Sequence, residues 1–132
     1  MVIDPSALLA VLQDEPERRA FNELIEAATR RRLSTASLVE LSIVIEARQG
    51  AEGIRDLDLF LATAAIELVP FDAVQARLAR EGFRRFGKGR HPAGLNLGDC
   101  FSYALARVLN EPLLFKGDDF PRTDVTAAYV AD

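Results

Sequence analysis

Residues 1–8 open the chain with MVIDPSAL, a short apolar run that ends at the carboxylate of Asp4. The run at residues 1–3 predicts a buried strand that leads directly into a short helix over residues 6–12. The ordinary alternative is that Asp4 is simply the N-cap of that helix. Ser6, however, already offers a good cap. In an open α/β sheet the carboxyl ends of the strands face one crevice, where sites are built. We therefore take Asp4 as the first candidate site residue.

Short strands alternate with helices along the rest of the chain. Further strands are predicted at residues 33–34, 66–69, 112–116 and 125–130. Helices are predicted at residues 16–29, 37–50, 53–65, 72–86 and 99–109. This alternation predicts an α/β fold, a three-layer α/β/α sandwich with a mainly parallel central sheet. We expect residues 1–132 to form a single domain.

Two further acidic sites stand at the start of a helix or the end of a strand. Asp99 opens the apolar helix, and the pair Asp118–Asp119 follows the strand at residues 112–116. Each has an ordinary alternative, since aspartate is favoured at helix N-termini and Gly-Asp is common in turns. Carboxylates gathered in one crevice repel one another unless a hard cation lies between them. Oxygen-only ligands suit Mg²⁺ or Mn²⁺, metals that usually handle phosphates, so metal-dependent phosphodiester chemistry is predicted.

Glu40 is a fourth candidate with a strong structural alternative. Ser37-Leu38-Val39-Glu40 fits the capping-box pattern, in which the glutamate returns to the backbone N–H of the cap residue. Taken alone, the pattern favours capping. The functional interpretation of Glu40 depends on the presence of the other candidate acids.

Composition limits the class of protein. The chain has 132 residues, with 16 basic and 20 acidic side chains and a net charge of −4. Proteins that simply coat nucleic acid are usually basic, so this balance argues against coating but not against a metal nuclease. Cys100 is the only cysteine, so no internal disulfide can form and nothing suggests secretion. No segment approaches the roughly 20 apolar residues of a membrane span, and we expect no membrane partner and a cytoplasmic location.

Basic residues cluster around a glycine-rich loop at residues 87–94, just before Asp99. Such a cluster could hold an RNA phosphate backbone beside the site, although charged runs are usually solvated faces. His91 is the only histidine, and it could not supply both the acid and the base of a metal-free ribonuclease. Cys100 begins an apolar helix and is expected to be a buried, inert thiol. The candidate RNA-binding residues are Arg84, Arg85, Lys88, Arg90 and His91.

Four motifs together resemble the PIN-domain ribonucleases of the VapC toxin type. They are MVIDPSAL at residues 1–8, STASLVE at 34–40, LNLGDCFSYALA at 95–106 and LLFKGDDF at 113–120. The motifs occur in the family order and span essentially the whole chain. Each is weak alone, but their combination is specific. Pro5 departs from the family, which commonly has threonine there; because that residue is not a ligand, only local backbone geometry is affected.

The resemblance implies roles for particular residues. Asp4 and Asp99 would be the core ligands of Mg²⁺ or Mn²⁺, and Ser6 would support the site by hydrogen bonding. The acidic quartet would be Asp4, Glu40, Asp99 and Asp119, with Glu40, Asp118 and Asp119 as possible further metal ligands. Side-chain alternation lets only one of the adjacent aspartates face the crevice easily, and Asp119 matches the acid that precedes phenylalanine in the family motif.

The resemblance also implies an activity and partners. The protein would be the toxin of a type II toxin–antitoxin pair and would cleave tRNA, rRNA or mRNA. A cognate antitoxin would silence it, and the toxin would form a homodimer. Attack by an activated water would leave a 5′-phosphate and a 3′-hydroxyl. Two alternatives remain open: a catalytically inactive PIN-like binding module, and a receiver-like α/β signalling domain. Lys116 is the only candidate for the lysine that a receiver needs, and an acid as early as Asp4 fits that class poorly.

Overall fold

The computed structural model describes residues 1–131 of the protein. Strands and helices alternate, as the sequence predicts. In chain order the elements are β1 (Val2–Ile3), α1 (Pro5–Leu12), α2 (Arg18–Ala27), β2 (Arg32–Ser34), α3 (Thr35–Thr63), β3 (Glu67–Val69), α4 (Ala73–Phe86), α5 (Leu97–Leu109) and β4 (Leu113–Leu114), followed by a short 3-10 turn (Phe120–Arg122).

The four strands form one parallel sheet in the order β3-β2-β1-β4. The chain moves outward from β1 to β2 and β3, then returns through α4 and α5 to place β4 on the other side of β1. The order therefore reverses between β1 and β4, and such a switch point opens a crevice at the carboxyl ends of the strands. Asp4 lies at this crevice because it directly follows β1.

Helices cover both faces of the sheet. Successive strand residues point to opposite faces, and the two strands beside the switch point show this clearly. Ile3 and Leu114 pack into a core with helices α1, α2 and α3. Val2 and Leu113 pack into a second core with α4 and α5. The three-layer α/β/α architecture predicted from the sequence is confirmed.

Two helix boundaries differ from the prediction in ways that bear on the site. The helix predicted from Ser37 begins at Thr35, and its N-cap is Ser34, whose side chain accepts a hydrogen bond from the Ala36 N–H. Ser37 therefore lies inside the first turn, and the capping box with Glu40 is wrong. The helix predicted from Asp99 begins two residues earlier, at Leu97.

The strand predicted at residues 125–130 is wrong. This segment makes only one isolated parallel bridge, between Ala127 and Leu113. Beyond the bridge, Tyr129 packs edge-on against Phe21, with ring centroids 5.3 Å apart. Packing of Tyr129 on α2 directs the chain over the core and away from the path of a strand.

The arginine run at residues 30–32 is structural. The Arg31 guanidinium donates hydrogen bonds to the carbonyls of Ile25 and Ala28 at the end of α2, and to Ala64 at the end of α3. Carbonyls at a helix C-terminus have no partner within the helix and carry partial negative charge. Arg31 therefore stabilises two helix ends with one side chain.

Within residues 1–131, none of the helices combines the length and the apolar character that crossing a membrane requires.

Candidate active site

Asp4 is the buried centre of the site. It is only 4% exposed, and both of its carboxylate oxygens accept hydrogen bonds. Oδ2 accepts from the backbone N–H of Ser6 at 2.9 Å and from the Ser6 hydroxyl at 2.6 Å. The first bond makes Asp4 the N-cap of α1, so the capping role and a site role coincide in one residue.

Ser102 is a site residue that the sequence analysis missed. Its hydroxyl, itself buried, donates to Asp4 Oδ1 at 2.5 Å across 98 residues of chain. The sequence signal was available: Ser102 is a polar residue in an apolar helix, three positions after Asp99 and thus on the same helix face. Ser6 completes the support, since its hydroxyl also accepts a hydrogen bond from the Lys116 N–H and so joins α1 to the segment after β4.

Burial and these hydrogen bonds shift the pKa of Asp4 in opposite directions. Loss of solvent raises the pKa of the Asp4 carboxyl, while the bonds from Ser102 and Ser6 lower it and the charge of Asp119 raises it further. The net result is a pKa above the ordinary value of an aspartate. The carboxylate is therefore oriented by hydroxyl donors while its negative charge is left without a neutralising side chain.

Asp99 lies in the first turn of α5 as part of a capping box. Asn96 is the N-cap: its side chain accepts from the Asp99 N–H at 2.9 Å, and Asp99 Oδ2 accepts from the Asn96 N–H at 3.1 Å. Burial raises the pKa of Asp99 to about 7, and the charges of Asp4, Asp119 and Glu40 add to the rise. The structure thus brings all four acids of the predicted quartet into electrostatic contact.

Glu40 reaches this group from α3. Burial raises the pKa of its half-buried carboxyl, and the charge of Asp4 adds to the effect. The carboxylate lies directly against Gly98, where an added Cβ would come within 1.7 Å of Glu40 Oε2. Gly98, which the sequence analysis did not single out, provides the space that lets α3 and α5 bring Glu40 and Asp99 together.

The adjacent aspartates after β4 are not equivalent. The charge of Asp119 raises the pKa of both Asp4 and Asp99, whereas Asp118 is not among the groups that act on them. Both side chains are exposed. Asp119 directly precedes Phe120, which is buried and packs against Phe115 with ring centroids 5.2 Å apart. This anchor holds Asp119 near the crevice.

The donor set fits a hard divalent cation. Its atoms are carboxylate and hydroxyl oxygens, the ligands that Mg²⁺ and Mn²⁺ prefer. No lysine or arginine is among the groups that shift the pKa values of Asp4, Glu40 or Asp99. Among residues 1–131 no three acidic, cysteine or histidine side chains are already closed into a metal-binding group. Mutual repulsion keeps uncompensated carboxylates apart, and a cation placed between them would offset it.

Cys100 adjoins the site without joining its chemistry. It is 2% exposed, and burial together with the charge of Asp99 raises the pKa of its thiol to about 11. A thiol with that pKa stays protonated near neutrality, and the protonated form is a poor nucleophile. The expectation of a buried, inert thiol agrees with this environment.

The five predicted RNA-binding residues differ in their surroundings. Arg84 and Arg90 line a groove between α4 and α5. Arg85 instead forms ion pairs with Glu81 and Asp124. Lys88 is exposed on the loop, and His91 Nδ1 accepts a hydrogen bond from the Ala93 N–H. RNA binding by these residues stays a prediction, with Arg84 and Arg90 the members that face the groove.

Comparison with known sequences places the chain within one family. The family model for the PIN domain matches residues 1–125. Ribonuclease VapC30 of Mycobacterium tuberculosis is 56% identical over 125 residues, covering 95% of both chains. Ribonuclease VapC of Mycolicibacterium smegmatis is 55% identical over 129 residues, covering 98% of this chain and all of the relative.

Comparison with solved structures supports the fold independently. The structure of VapBC2 from Rickettsia felis bound to a DNA fragment from their promoter superposes with a TM-score of 0.76 at 16% identity, covering 96% of this chain and 94% of the other. Mycobacterium tuberculosis VapC20, described as a sarcin-ricin loop cleaving toxin, gives a TM-score of 0.76 at 15% identity, covering 95% of both chains. At such low identity these similarities establish the shared fold.

Proposed function

The chain belongs to the PIN-domain family of VapC-type toxin ribonucleases, and from this membership we propose that its four-carboxylate crevice hydrolyses RNA with a divalent cation, Mg²⁺ or Mn²⁺. The observation that carries the proposal is the placement of the acids: Asp4 is buried at the end of β1 and held by Ser6 and Ser102, and Glu40 lies against Gly98, next to Asp99. Three structural elements and the turn after β4 bring these acids together from distant parts of the sequence.

The proposed roles follow from the position of each side chain. Asp4 and Asp99 are the core ligands, and Glu40 and Asp119 complete the acidic shell, with Asp118 an outer neighbour. Ser6 and Ser102 hold the Asp4 carboxylate in one orientation through bonds to both of its oxygens. A bound divalent cation supplies the neutralisation of phosphate charge and a lowered pKa for an attacking water. Hydrolysis by water leaves a 5′-phosphate and a 3′-hydroxyl.

A metal titration tests the proposal against an inactive PIN-like binding module, which need not bind metal. We expect calorimetry to detect Mn²⁺ binding to the wild type and a loss of at least tenfold in affinity for Asp99→Asn. Asp58→Asn, at an exposed position on α3, is the matched control and should bind like the wild type. Equal Mn²⁺ affinity in all three proteins would contradict the proposed metal site.

The fold and the family address the receiver-like alternative. The sheet order and the family match already exclude a simple receiver assignment, because the chain belongs to another family. The lysine that such a domain would need, Lys116, pairs instead with Glu15 and Glu17.

We further propose that a cognate antitoxin silences this site in the cytoplasm. The relatives are VapC proteins, and the Rickettsia felis structure contains a VapBC2 pair. A basic antitoxin side chain placed among the carboxylates would gain from their uncompensated charge. Co-expression with the cognate antitoxin, to be sought as a small reading frame just upstream, should give a stable complex. A protein that purifies alone, active and harmless to its host, would contradict the toxin role.

A homodimer is proposed on a separate observation. The α3 helix exposes Val39 and Ile43, one turn apart and 59% and 66% exposed, and Val74 at the start of α4 is 49% exposed. Apolar side chains clustered on a surface favour protein contact. We expect a dimer in light scattering and a monomer for Ile43→Glu. A monomeric wild type would refute this part of the proposal.

A further inference from the structure

Lys116 is the last residue before the turn that carries Asp118 and Asp119. Its backbone and its side chain make contacts in different parts of the molecule. The Lys116 N–H donates to the Ser6 hydroxyl at 3.0 Å, and that hydroxyl donates to Asp4 Oδ2 at 2.6 Å. The backbone at the start of the turn is therefore joined to the central carboxylate through a single hydroxyl.

The Lys116 side chain pairs with two carboxylates of the loop that joins α1 to α2. Its Nζ lies 3.2 Å from Glu17 Oε1 and 3.5 Å from Glu15 Oε1. Glu17 Oε1 is buried and accepts no hydrogen bond within residues 1–131, so the Lys116 ammonium is the charge that compensates it. A buried carboxylate oxygen without a nearby cation is costly, and the pair with Glu17 is therefore more constrained than an ordinary surface ion pair.

The turn itself is held mainly at its two ends. Gly117 has a φ of +120°, and no atom lies within 4 Å of the position that a Cβ would take there. Asp118 and Asp119 are both exposed. Phe120, after the turn, is only 4% exposed and anchors that end. Lys116 is the corresponding anchor at the beginning of the turn.

The positive charge of Lys116 is compensated outside the acidic crevice. Lys116 is not among the groups that shift the pKa values of Asp4 and Asp99. Its ammonium is paired with the loop glutamates instead, which also makes it a poor contact for an RNA phosphate. The lysine therefore lies next to the site in the chain without neutralising the carboxylates there.

We propose that Lys116 is a positioning residue for Asp119: its ion pair with Glu17 ties the start of the turn to the α1–α2 loop and so keeps the fourth carboxylate beside Asp4 and Asp99. The inference rests on the proposed metal-dependent function and deepens it by assigning what holds the one exposed member of the four acids. Lys116 contacts neither the metal nor the RNA, and it acts through Asp119.

Mn²⁺ calorimetry distinguishes positioning from a simple charge effect by the sign of the change. Lys116→Met removes a positive charge, which by Coulomb attraction alone would strengthen the binding of a cation. Positioning predicts the opposite, an affinity weakened about three- to fivefold, the range for the loss of a partly exposed ion pair. Lys116→Arg, which keeps the charge, should retain wild-type affinity. Unchanged or tighter binding by Lys116→Met would overturn the proposal.

Arg18→Met is the matched control. Arg18 directly follows Glu17 in the chain, and its exposed side chain pairs with Asp14. The variant therefore removes one positive charge and one ion pair from the same loop region without touching the turn. It should bind Mn²⁺ at least as tightly as the wild type, and a loss equal to that of Lys116→Met would overturn the assignment.

Double-mutant cycles test whether Lys116 acts through Asp119. In Asp119→Asn the turn no longer presents a carboxylate, so adding Lys116→Met should change Mn²⁺ affinity by less than about 1.5-fold. A residue that only stabilises the fold would weaken binding by the same factor in both backgrounds. Glu17→Gln and Lys116→Met should likewise weaken binding no more together than Lys116→Met does alone. Additive effects in either pair would overturn the assignment.

Backbone ¹⁵N relaxation in chelator supplies a readout that needs neither metal nor activity. In the wild type we expect order parameters for residues 117–119 near the value of rigid backbone, about 0.85. In Lys116→Met they should fall toward the flexible range, below about 0.6, while Arg18→Met keeps the wild-type values. Order parameters unchanged by Lys116→Met would contradict the anchoring of the turn.

Cleavage kinetics separate a failure of this assignment from a failure of the ribonuclease function. Lys116→Met should lower kcat and leave KM for RNA unchanged, because the lysine contacts no phosphate. A raised KM with a reduced salt dependence would make Lys116 an RNA contact and overturn its positioning role. A wild type that binds Mn²⁺ but never cleaves RNA contradicts the function, while the Mn²⁺ cycles still decide the role of Lys116. A wild type that binds no Mn²⁺ contradicts both.

Discussion

At the scale of the residue, Asp4 combines two roles that the sequence presented as alternatives. It caps α1 through the Ser6 N–H, and it lies buried among other carboxylates. Capping alone does not require burial, because an exposed aspartate accepts the same hydrogen bond. The additional bond from Ser102, across the sheet, indicates that the orientation of Asp4 itself is under structural control.

Ser102→Ala should therefore impair the site without unfolding the protein. It removes the hydrogen bond that Asp4 Oδ1 accepts from Ser102, which lets the carboxylate rotate and raises its pKa further. We expect metal affinity to fall about 10- to 100-fold, as is typical when a ligand loses its outer partner. Ser42→Ala, which removes a hydroxyl bonded to the Leu38 carbonyl on α3, is the control for Mn²⁺ calorimetry. Wild-type affinity in Ser102→Ala would contradict a positioning role.

The adjacent aspartates give a second residue-scale prediction. Of the two adjacent aspartates, only Asp119 acts electrostatically on Asp4 and Asp99. Asp119→Asn should therefore reduce RNA cleavage at least tenfold, whereas Asp118→Asn should cleave at close to the wild-type rate. Both positions are exposed, so both variants should fold equally well, which circular dichroism can check. The opposite pattern of cleavage rates would reverse the two roles.

At the scale of the element, hydrogen bonds at helix ends contribute stability that neither the hydrophobic pattern nor the charge count predicts. Arg31→Ala leaves carbonyls at the ends of α2 and α3 without their donor. A lost hydrogen bond to a charged group costs about 1.5–3 kcal/mol, so we expect the free energy of unfolding to fall by about 2–3 kcal/mol in urea. Arg19→Ala, at an exposed ion pair on α2, should change it by less than about 1 kcal/mol. Equal effects would contradict the capping role of Arg31.

The same scale shows what the sequence could and could not predict. The predicted strands overlap β1, β2, β3 and β4, and the signal is clearest for β1 and β4, whose residues are apolar and buried. The Ser37–Glu40 capping box failed because Ser34, three residues earlier, is the actual cap. Ser34 and Ser37 are both residues favoured at an N-cap, so the local pattern alone did not distinguish them.

The acids of the candidate site and the support from Ser6 were predictable, whereas Gly98 and Ser102 were not predicted. Asp4 and Asp99 follow or open apolar elements, a local signal. Gly98 contacts Glu40 across 58 positions of sequence, and Ser102 contacts Asp4 across the sheet. Contacts of that kind depend on tertiary placement, so helical spacing could mark Ser102 as a candidate but could not identify its partner. The 125–130 strand failed for a related reason, since Tyr129 packs against Phe21 on α2.

At the scale of the whole molecule, the acidic crevice makes stability depend on pH. Burial and like charges give Asp99 a pKa of about 7, above its ordinary value of 3.8. The native state therefore holds this proton more tightly than the unfolded state does, and the stabilisation is lost as pH rises through about 7. Hydrogen bonds from Arg32 and Arg30 lower the pKa of Glu67. Burial raises the pKa of Asp124, but the hydrogen bond with Tyr103 and the charges of Arg107 and Arg85 outweigh it and lower the pKa overall. Both carboxylates therefore remain ionised near neutral pH.

In chelator, the Asp99 contribution should make the melting temperature of the wild type fall from about pH 5 to about pH 7 and level off above that. Asp99→Asn should lose much of this slope and melt several degrees above the wild type at about pH 8, at roughly 4 °C per kcal/mol for a chain of this size. Saturating Mn²⁺ should stabilise the wild type at that pH and leave Asp99→Asn little changed. A wild type that gains stability with pH in chelator would contradict the account.

The central claim is that carboxylates at the switch point of the sheet carry out metal-dependent RNA hydrolysis. The most direct test is cleavage of a defined RNA by the wild type, Asp4→Asn, Asp99→Asn and the exposed control Asp58→Asn, each with Mn²⁺ or with excess chelator. The account predicts cleavage only by the wild type and Asp58→Asn, only with metal, and products with a 5′-phosphate. Full cleavage by Asp4→Asn or Asp99→Asn, or by the wild type in chelator, would contradict it.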